Sequence, residues 1–123
     1  MADVRGKSGS GAEPLAVAVE SREGATVVRP IGEVDLSGSP VLRQELRRIQ
    51  VGQAKRLVID LSGVPYMDSS GVATLVEAMQ AARKSSTRLV LCGLQPKVRS
   101  IFEIARLDTV FTIVADADAA VRA

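Results

Sequence analysis

The chain has no histidine and no tryptophan, one cysteine, and three aromatic residues, Tyr66, Phe102 and Phe111, among 123 positions. Each scarcity closes off a class of chemistry. Without histidine there is no Ser-His-Asp or Cys-His relay, and metal ligation would have to rest on scattered carboxylates. A single cysteine rules out an internal disulfide, and Cys92, at the end of Leu89-Val90-Leu91-Cys92, reads as a small buried hydrophobe at a strand end. Both features fit a reducing cytoplasm. Basic residues exceed acidic ones by 16 to 14, and the +2 balance is too small to argue for nucleic acid, the more so without aromatics interleaved to stack bases. No stretch approaches the roughly 20 apolar residues of a membrane span, and the N-terminus lacks the basic-then-apolar pattern of a secretory signal. The protein is expected to be soluble and cytoplasmic.

Phosphate-binding and nucleophile motifs are missing as well. Gly6-Lys7-Ser8 lacks the first glycine of a Walker loop, and Asp68-Ser69-Ser70-Gly71 lacks the first glycine of a nucleophile elbow. The inventory therefore predicts a non-enzyme with no catalytic residue, no cofactor and no metal.

What the chain does have is aliphatic content. Apolar residues make up 46% of it, enough at this length for one core built from Val, Leu, Ile and Ala. Residues 1–13 are polar, rich in Gly and Ser and without periodicity, which predicts a disordered tail ahead of a single domain over 14–123. Leu15 to Glu20 and Ala25 to Ile31 are short β-prone runs. The segment Ser21-Arg22-Glu23-Gly24 between them is of hairpin length and places Gly at a left-handed position. Ser39 as cap and Pro40 at the first helical position start a helix that buries Leu42, Leu46 and Ile49 and ends near Gly52. Arg43, Arg47 and Arg48 on that helix read as a solvated face.

Arg56 to Leu61 and Thr87 to Cys92 are nearly continuous apolar runs, the pattern of strands covered on both faces. Between them, apolar residues at 72, 75, 76 and 79 mark one face of a helix running to Lys84. Strand, helix and strand then form a parallel crossover unit. Pro96 starts a further helix with Val98, Ile101, Phe102 and Ala105 buried, Val110 to Val114 is a last strand, and Asp116 caps a short terminal helix.

The connection Tyr66-Met67-Asp68-Ser69-Ser70-Gly71 is where function would lie. It falls at the N-terminus of the Val72 to Lys84 helix, where side-chain oxygens can accept from unpaired backbone N–H groups. On local chemistry alone, Asp-Ser-Ser is also an ordinary helix cap. The string Val64-Pro65-Tyr66-Met67-Asp68-Ser69-Ser70-Gly71-Val72, however, resembles the signature of the STAS family, and in particular of bacterial anti-sigma factor antagonists. Gly32-Glu33-Val34-Asp35 resembles a second, less specific family pattern beside the first. Pro96-Lys97-Val98-Arg99-Ser100-Ile101-Phe102, followed by Leu107, is a supporting packing pattern.

The resemblance covers residues 14 to 123. It implies an α/β fold, a single STAS domain with a small mixed β-sheet in the order β-β-α-β-α-β-α-β-α and helices packed against it. It further implies a phosphorylation-controlled protein-binding switch in transcription regulation. The unmodified protein would bind an anti-sigma factor that is also a serine kinase and so free a sigma factor; phosphorylation by that kinase would end binding, and a serine phosphatase would reset it. The implied acceptor is Ser69, with Ser70 as the alternative, and Asp35, Asp68, Ser69, Ser70 and Gly71 would form the partner-binding surface. For Asp35, a turn-forming role competes on local chemistry. Two other uses of the fold stay open at this level: a cytoplasmic subunit of a lipid-transport ABC complex, and a scaffold piece of a signalling assembly.

Overall fold

The computed structural model describes residues 3–5 and 15–123. Six strands form one mixed sheet, and their spatial order is their order in the chain. The hairpin β2 (Ala16–Arg22) and β3 (Ala25–Ile31) pairs Ala16 with Ile31 and Arg22 with Ala25. Its turn is the two residues Glu23 and Gly24, both at positive φ (50° and 81°), the left-handed conformation that suits the twist of a tight hairpin. β3 runs parallel to β4 (Arg56–Asp60), β4 to β5 (Arg88–Cys92) and β5 to β6 (Thr112–Val114). The β-β-α-β-α-β-α-β-α order read from the sequence is thus present.

β1 (Asp3–Arg5) adds a further strand at the β2 edge, pairing antiparallel with Asp3 opposite Val19 and Arg5 opposite Val17. These three residues belong to the stretch expected to be a disordered tail, and they pair where the β2 edge otherwise presents an unpaired row of backbone donors and acceptors that any short extended segment can use. The rest of that tail lies outside the described residues.

Parallel strands added in one direction through same-handed crossovers place their connecting helices on one face. Accordingly α1 (Ser39–Val51), α2 (Ser69–Lys84) and α3 (Pro96–Ile104) cover one side, over a core that includes Val17, Val28, Leu42, Leu46, Leu57, Ile59, Leu75 and Phe102. Phe102 meets Phe111 edge to face, centroids 5.6 Å apart. The opposite side carries only α4 (Ala117–Val121) among the described helices, whose Ala120 and Val121 pack with Ala25, Val27, Val58, Val90 and Cys92. Cys92 is fully buried there, as the strand pattern predicts.

Local details depart from the sequence reading. Ser39 does not cap α1; Gly38, which has no side chain to cap with, holds the cap position, and Asp35 Oδ1 accepts from the backbone N–H groups of Ser37 and Gly38 ahead of the helix. The last strand is shorter than Val110 to Val114, since a 3-10 turn at Leu107–Thr109 takes up part of the chain before Thr112. On α3 only Val98 and Phe102 are buried; Ile101 is half-buried and Ala105 exposed. On α2 the buried stripe is centred on Leu75, Ala78, Met79 and Ala82, with Val72 and Val76 at its flank. No described helix is long and apolar enough to cross a membrane.

Candidate functional site

Two loops, one after β3 and one after β4, are joined into a single ridge at the N-terminal end of α2. Val34 and Met67 form a parallel bridge: Val34 N donates to Tyr66 O at 3.0 Å, and Asp68 N donates to Val34 O at 3.3 Å. Both side chains are fully buried, so the ridge is anchored in the core. Gly71 is what lets α2 lie against it. A Cβ there would stand 2.6 Å from Met67 Cγ, 2.6 Å from Val34 O and 2.9 Å from Val34 Cγ1, closer than any side chain tolerates.

This packing brings together the residues singled out in the sequence. Asp35 closes its own loop, accepting at Oδ1 from Ser37 N (3.1 Å), Ser37 Oγ (2.9 Å) and Gly38 N (2.9 Å). These bonds, that from Gly38 first, hold its carboxyl below the ordinary range. Asp68 is the cap of α2. Its Oδ1 accepts from Ser70 Oγ at 2.5 Å, Ser70 N at 2.9 Å and Gly71 N at 3.3 Å. The Ser70 hydroxyl is the largest cause of its lowered pKa, opposed by burial and, more weakly, by the negative charge of Asp35. Both carboxylates are therefore ionised at neutral pH and near enough to influence one another. The turn-forming role of Asp35 and its place at this surface are one geometry.

The two serines have different surroundings. Ser70 is half-buried and its hydroxyl is engaged by Asp68. Ser69, the first helical residue, is exposed, and among the described residues its hydroxyl makes no hydrogen bond. The sequence reading let all three polar side chains act at the helix end; the structure gives the capping to Asp68.

A shallow apolar cleft of about 470 Å³ adjoins Ser69, lined by Tyr66, Met67, Val72, Ile101 and Ala105. Tyr66 is 45% exposed, and on the neighbouring segments Leu36 is 78% and Ile104 83% exposed. Sequence reasoning assigned Ile101 and Ala105 to the core and missed this cleft. The signal was there: Val98, Ile101, Phe102, Ile104 and Ala105 form an apolar stripe wider than one packed face needs. Among the described residues, no three His, Cys, Asp or Glu side chains are grouped to hold a metal.

The architecture and the site together define a small α/β domain that presents a free serine hydroxyl at a helix N-terminus, beside exposed apolar surface. Its residues 16–120 match the family model described as STAS domain, and the chain belongs to that family. It is similar to an anti-sigma-B factor antagonist of Listeria monocytogenes, 37% identical over 82 residues that cover 67% of this chain and 72% of that one. It is also similar to the Bacillus subtilis protein of the same name, 31% identical over 106 residues, 86% of this chain and 96% of that one. Among solved structures, an anti-sigma factor antagonist from Mycobacterium paratuberculosis superposes with a TM-score of 0.82 at 28% identity, covering 88% of this chain and 92% of that one.

Proposed function

We propose that this protein is an anti-sigma factor antagonist whose binding is switched by phosphorylation at Ser69. Unmodified, it binds an anti-sigma factor that is also a serine kinase and thereby frees a sigma factor. The kinase transfers the γ-phosphoryl group of ATP to Ser69 Oγ, the hydroxyl proton leaves to a base of the kinase, and ADP departs. A serine phosphatase returns the hydroxyl by hydrolysis. In this scheme the protein is a substrate and a binding partner, and contributes no catalytic group of its own.

The observation that carries the reading is the division of labour between the serines: Ser70 Oγ is engaged at 2.5 Å by Asp68, while Ser69 is exposed and unbonded among the described residues. Phosphoryl transfer needs a hydroxyl that can enter another protein's active site, and Ser69 meets that need. The start of a 16-residue helix suits the product. A phosphoryl group brings about −1.5 to −2 charges, which the helix N-terminus offsets by roughly 0.3–1 kcal/mol, so the fold survives modification.

Binding is the sensitive quantity. Asp35 and Asp68 already make the ridge anionic, and the cleft beside it offers apolar contact. Added phosphate charge facing a partner carboxylate ~6 Å away costs roughly 3 kcal/mol per unit charge at an effective dielectric of about 20. That corresponds to about a hundredfold loss of affinity. Asp35, Asp68, Ser69 and Ser70 lie on this ridge, while Gly71 acts beneath it by permitting the close packing.

The test is incubation with the anti-sigma factor kinase of the same genome and ATP, followed by peptide mass spectrometry and a binding assay. Phosphate on Ser69, with weaker binding after modification, is the expected result. Phosphate on Ser70 would overturn the residue assignment. Binding to no anti-sigma factor, with neither serine modified, would overturn the function in favour of a transporter subunit or scaffold.

A further inference from the structure

The arginines of α1 are not simply a solvated face. Arg48 turns to Glu45 on its own helix at 3.0 Å, whereas Arg43 and Arg47 reach across to the one carboxylate of Glu77 on α2, at 3.1 and 3.4 Å. They overhang a groove between the two helices of about 280 Å³, floored by Leu46, Ala78 and Ala81 and closed at its far end by exposed Lys84. Two arginines and a lysine against one glutamate leave an excess of two positive charges along it. Gln50 Nε2 donates to Ala78 O at 2.9 Å and fixes the two helices relative to each other, so the groove is preformed.

We infer that this groove docks an acidic amphipathic helix of a protein partner. Three features select that occupant. Ala81, the partly exposed alanine of the floor, has no side chain beyond Cβ and lets another helix backbone approach to about 8–10 Å, the spacing of packed helices. Arg43 and Arg47 already share the Glu77 carboxylate, and no small anion spans from them to Lys84, which lies seven residues beyond Glu77, about 10 Å along the axis at 1.5 Å per residue. Carboxylates at i and i+7 on a docked helix have that same separation, with the apolar residues between them facing the floor. Arg47 remains 70% exposed in spite of its contact with Glu77 and so keeps donors for an incoming acid.

The inference goes beyond the switch at Ser69 and is independent of it. At about 100° per residue, groove positions 74, 78 and 81 lie on the opposite flank of α2 from Ser69 and Val72, and Gln80 and Lys84, which turn back towards the Ser69 side, are about 16 and 22 Å from it along the axis. One partner can therefore occupy the groove while another engages the serine ridge.

The experiment uses the full chain and a fluorescein-labelled synthetic helix of about five turns, with a leucine stripe flanked by glutamates at i and i+7, beside a scrambled peptide of the same composition. Fluorescence anisotropy at physiological salt should show saturable binding of the first peptide, with backbone amide NMR shifts centred on Ala78 and Ala81. The double substitution Arg47→Glu with Lys84→Glu, and separately Ala81→Trp, which fills the floor without changing charge, should each weaken binding about tenfold or more, equivalent to about 1.4 kcal/mol. Arg83→Glu, outside the groove, should change it less than about twofold. Equal binding of the scrambled peptide, an equal effect of Arg83→Glu, or no effect of Ala81→Trp would each overturn the site as generic charge attraction. So would absence of peptide binding, or displacement of the peptide by inorganic phosphate at comparable concentration.

Discussion

Replacing each serine by alanine should separate their roles through stability alone. Ser70→Ala removes a hydroxyl that donates to the ionised Asp68 at 2.5 Å and that is the main cause of the lowered pKa of that carboxyl. Hydrogen bonds to a charged group contribute about 1.5–3 kcal/mol when buried, and the half-buried setting here brings the expected loss nearer 1 kcal/mol. Ser69→Ala removes a hydroxyl with no described partner, and its effect should stay within about 0.5 kcal/mol. Alanine is the better helix former at both positions by a few tenths of a kcal/mol. That gain is common to the two variants and cancels when they are compared. Urea denaturation monitored by far-UV circular dichroism should therefore place Ser70→Ala about 1 kcal/mol below Ser69→Ala, with unchanged slope, or about 3–5 °C lower in Tm. If Ser69→Ala proved as destabilising as Ser70→Ala, the Ser69 hydroxyl would be engaged in the fold, and the reasoning that makes it the free acceptor would fail.

Gly71→Ala forces a Cβ to within 2.6 Å of Met67 and Val34, and should cost about 1–3 kcal/mol in urea denaturation by prising α2 from the ridge; wild-type stability would contradict the packing argument. Asp35 and Asp68 both have folded pKa values below the ordinary 3.8, so their stabilisation is complete above that value and is lost as pH falls through the lower folded values. Melting temperature should be level from neutral pH to about 5 and fall below about 4, less steeply in Asp68→Asn, and an equally steep fall in that variant would refute the assignment. Burial, reinforced by Asp60 and Asp116, pushes the Cys92 thiol up to about 12. Its contribution to stability is thus present below the unfolded thiol pKa and lost as pH rises towards 12. A thiol reagent at pH 8 should label the protein only in denaturant, and fast labelling of the native protein would show that α4 does not seal that face.

Residues whose behaviour depends on their immediate neighbours were legible in advance. Short apolar runs located β2 to β5, helical spacing located α1 to α3 and the Asp116 cap located α4, because burial and capping leave their pattern on the sequence itself. Asp68-Ser69-Ser70-Gly71 could be placed at a helix start for the same reason. Details that depend on competition between near-equivalent partners were not. Ser39 is a good cap by type, but Asp35 captures the backbone of that turn. Ser69 and Ser70 are the same residue type on adjacent positions, and no rule of composition distinguishes them.

The sequence by itself determined the sheet and helix content, the aliphatic core, the absence of histidine chemistry and the presence of a hydroxyl pair at a helix N-terminus, all properties of residue type and spacing along the chain. Tertiary structure alone decided which hydroxyl is free, that Gly71 holds α2 against the Val34–Met67 bridge, and that Ile101 and Ala105 line a cleft when their spacing suggested core. It also set Arg43 and Arg47 over one glutamate 30 or more residues away. The physical reason is that hydrogen bonds and charge pairs act over a few ångströms in space, and a one-dimensional pattern records which groups exist but not which of them the packed chain brings within that distance.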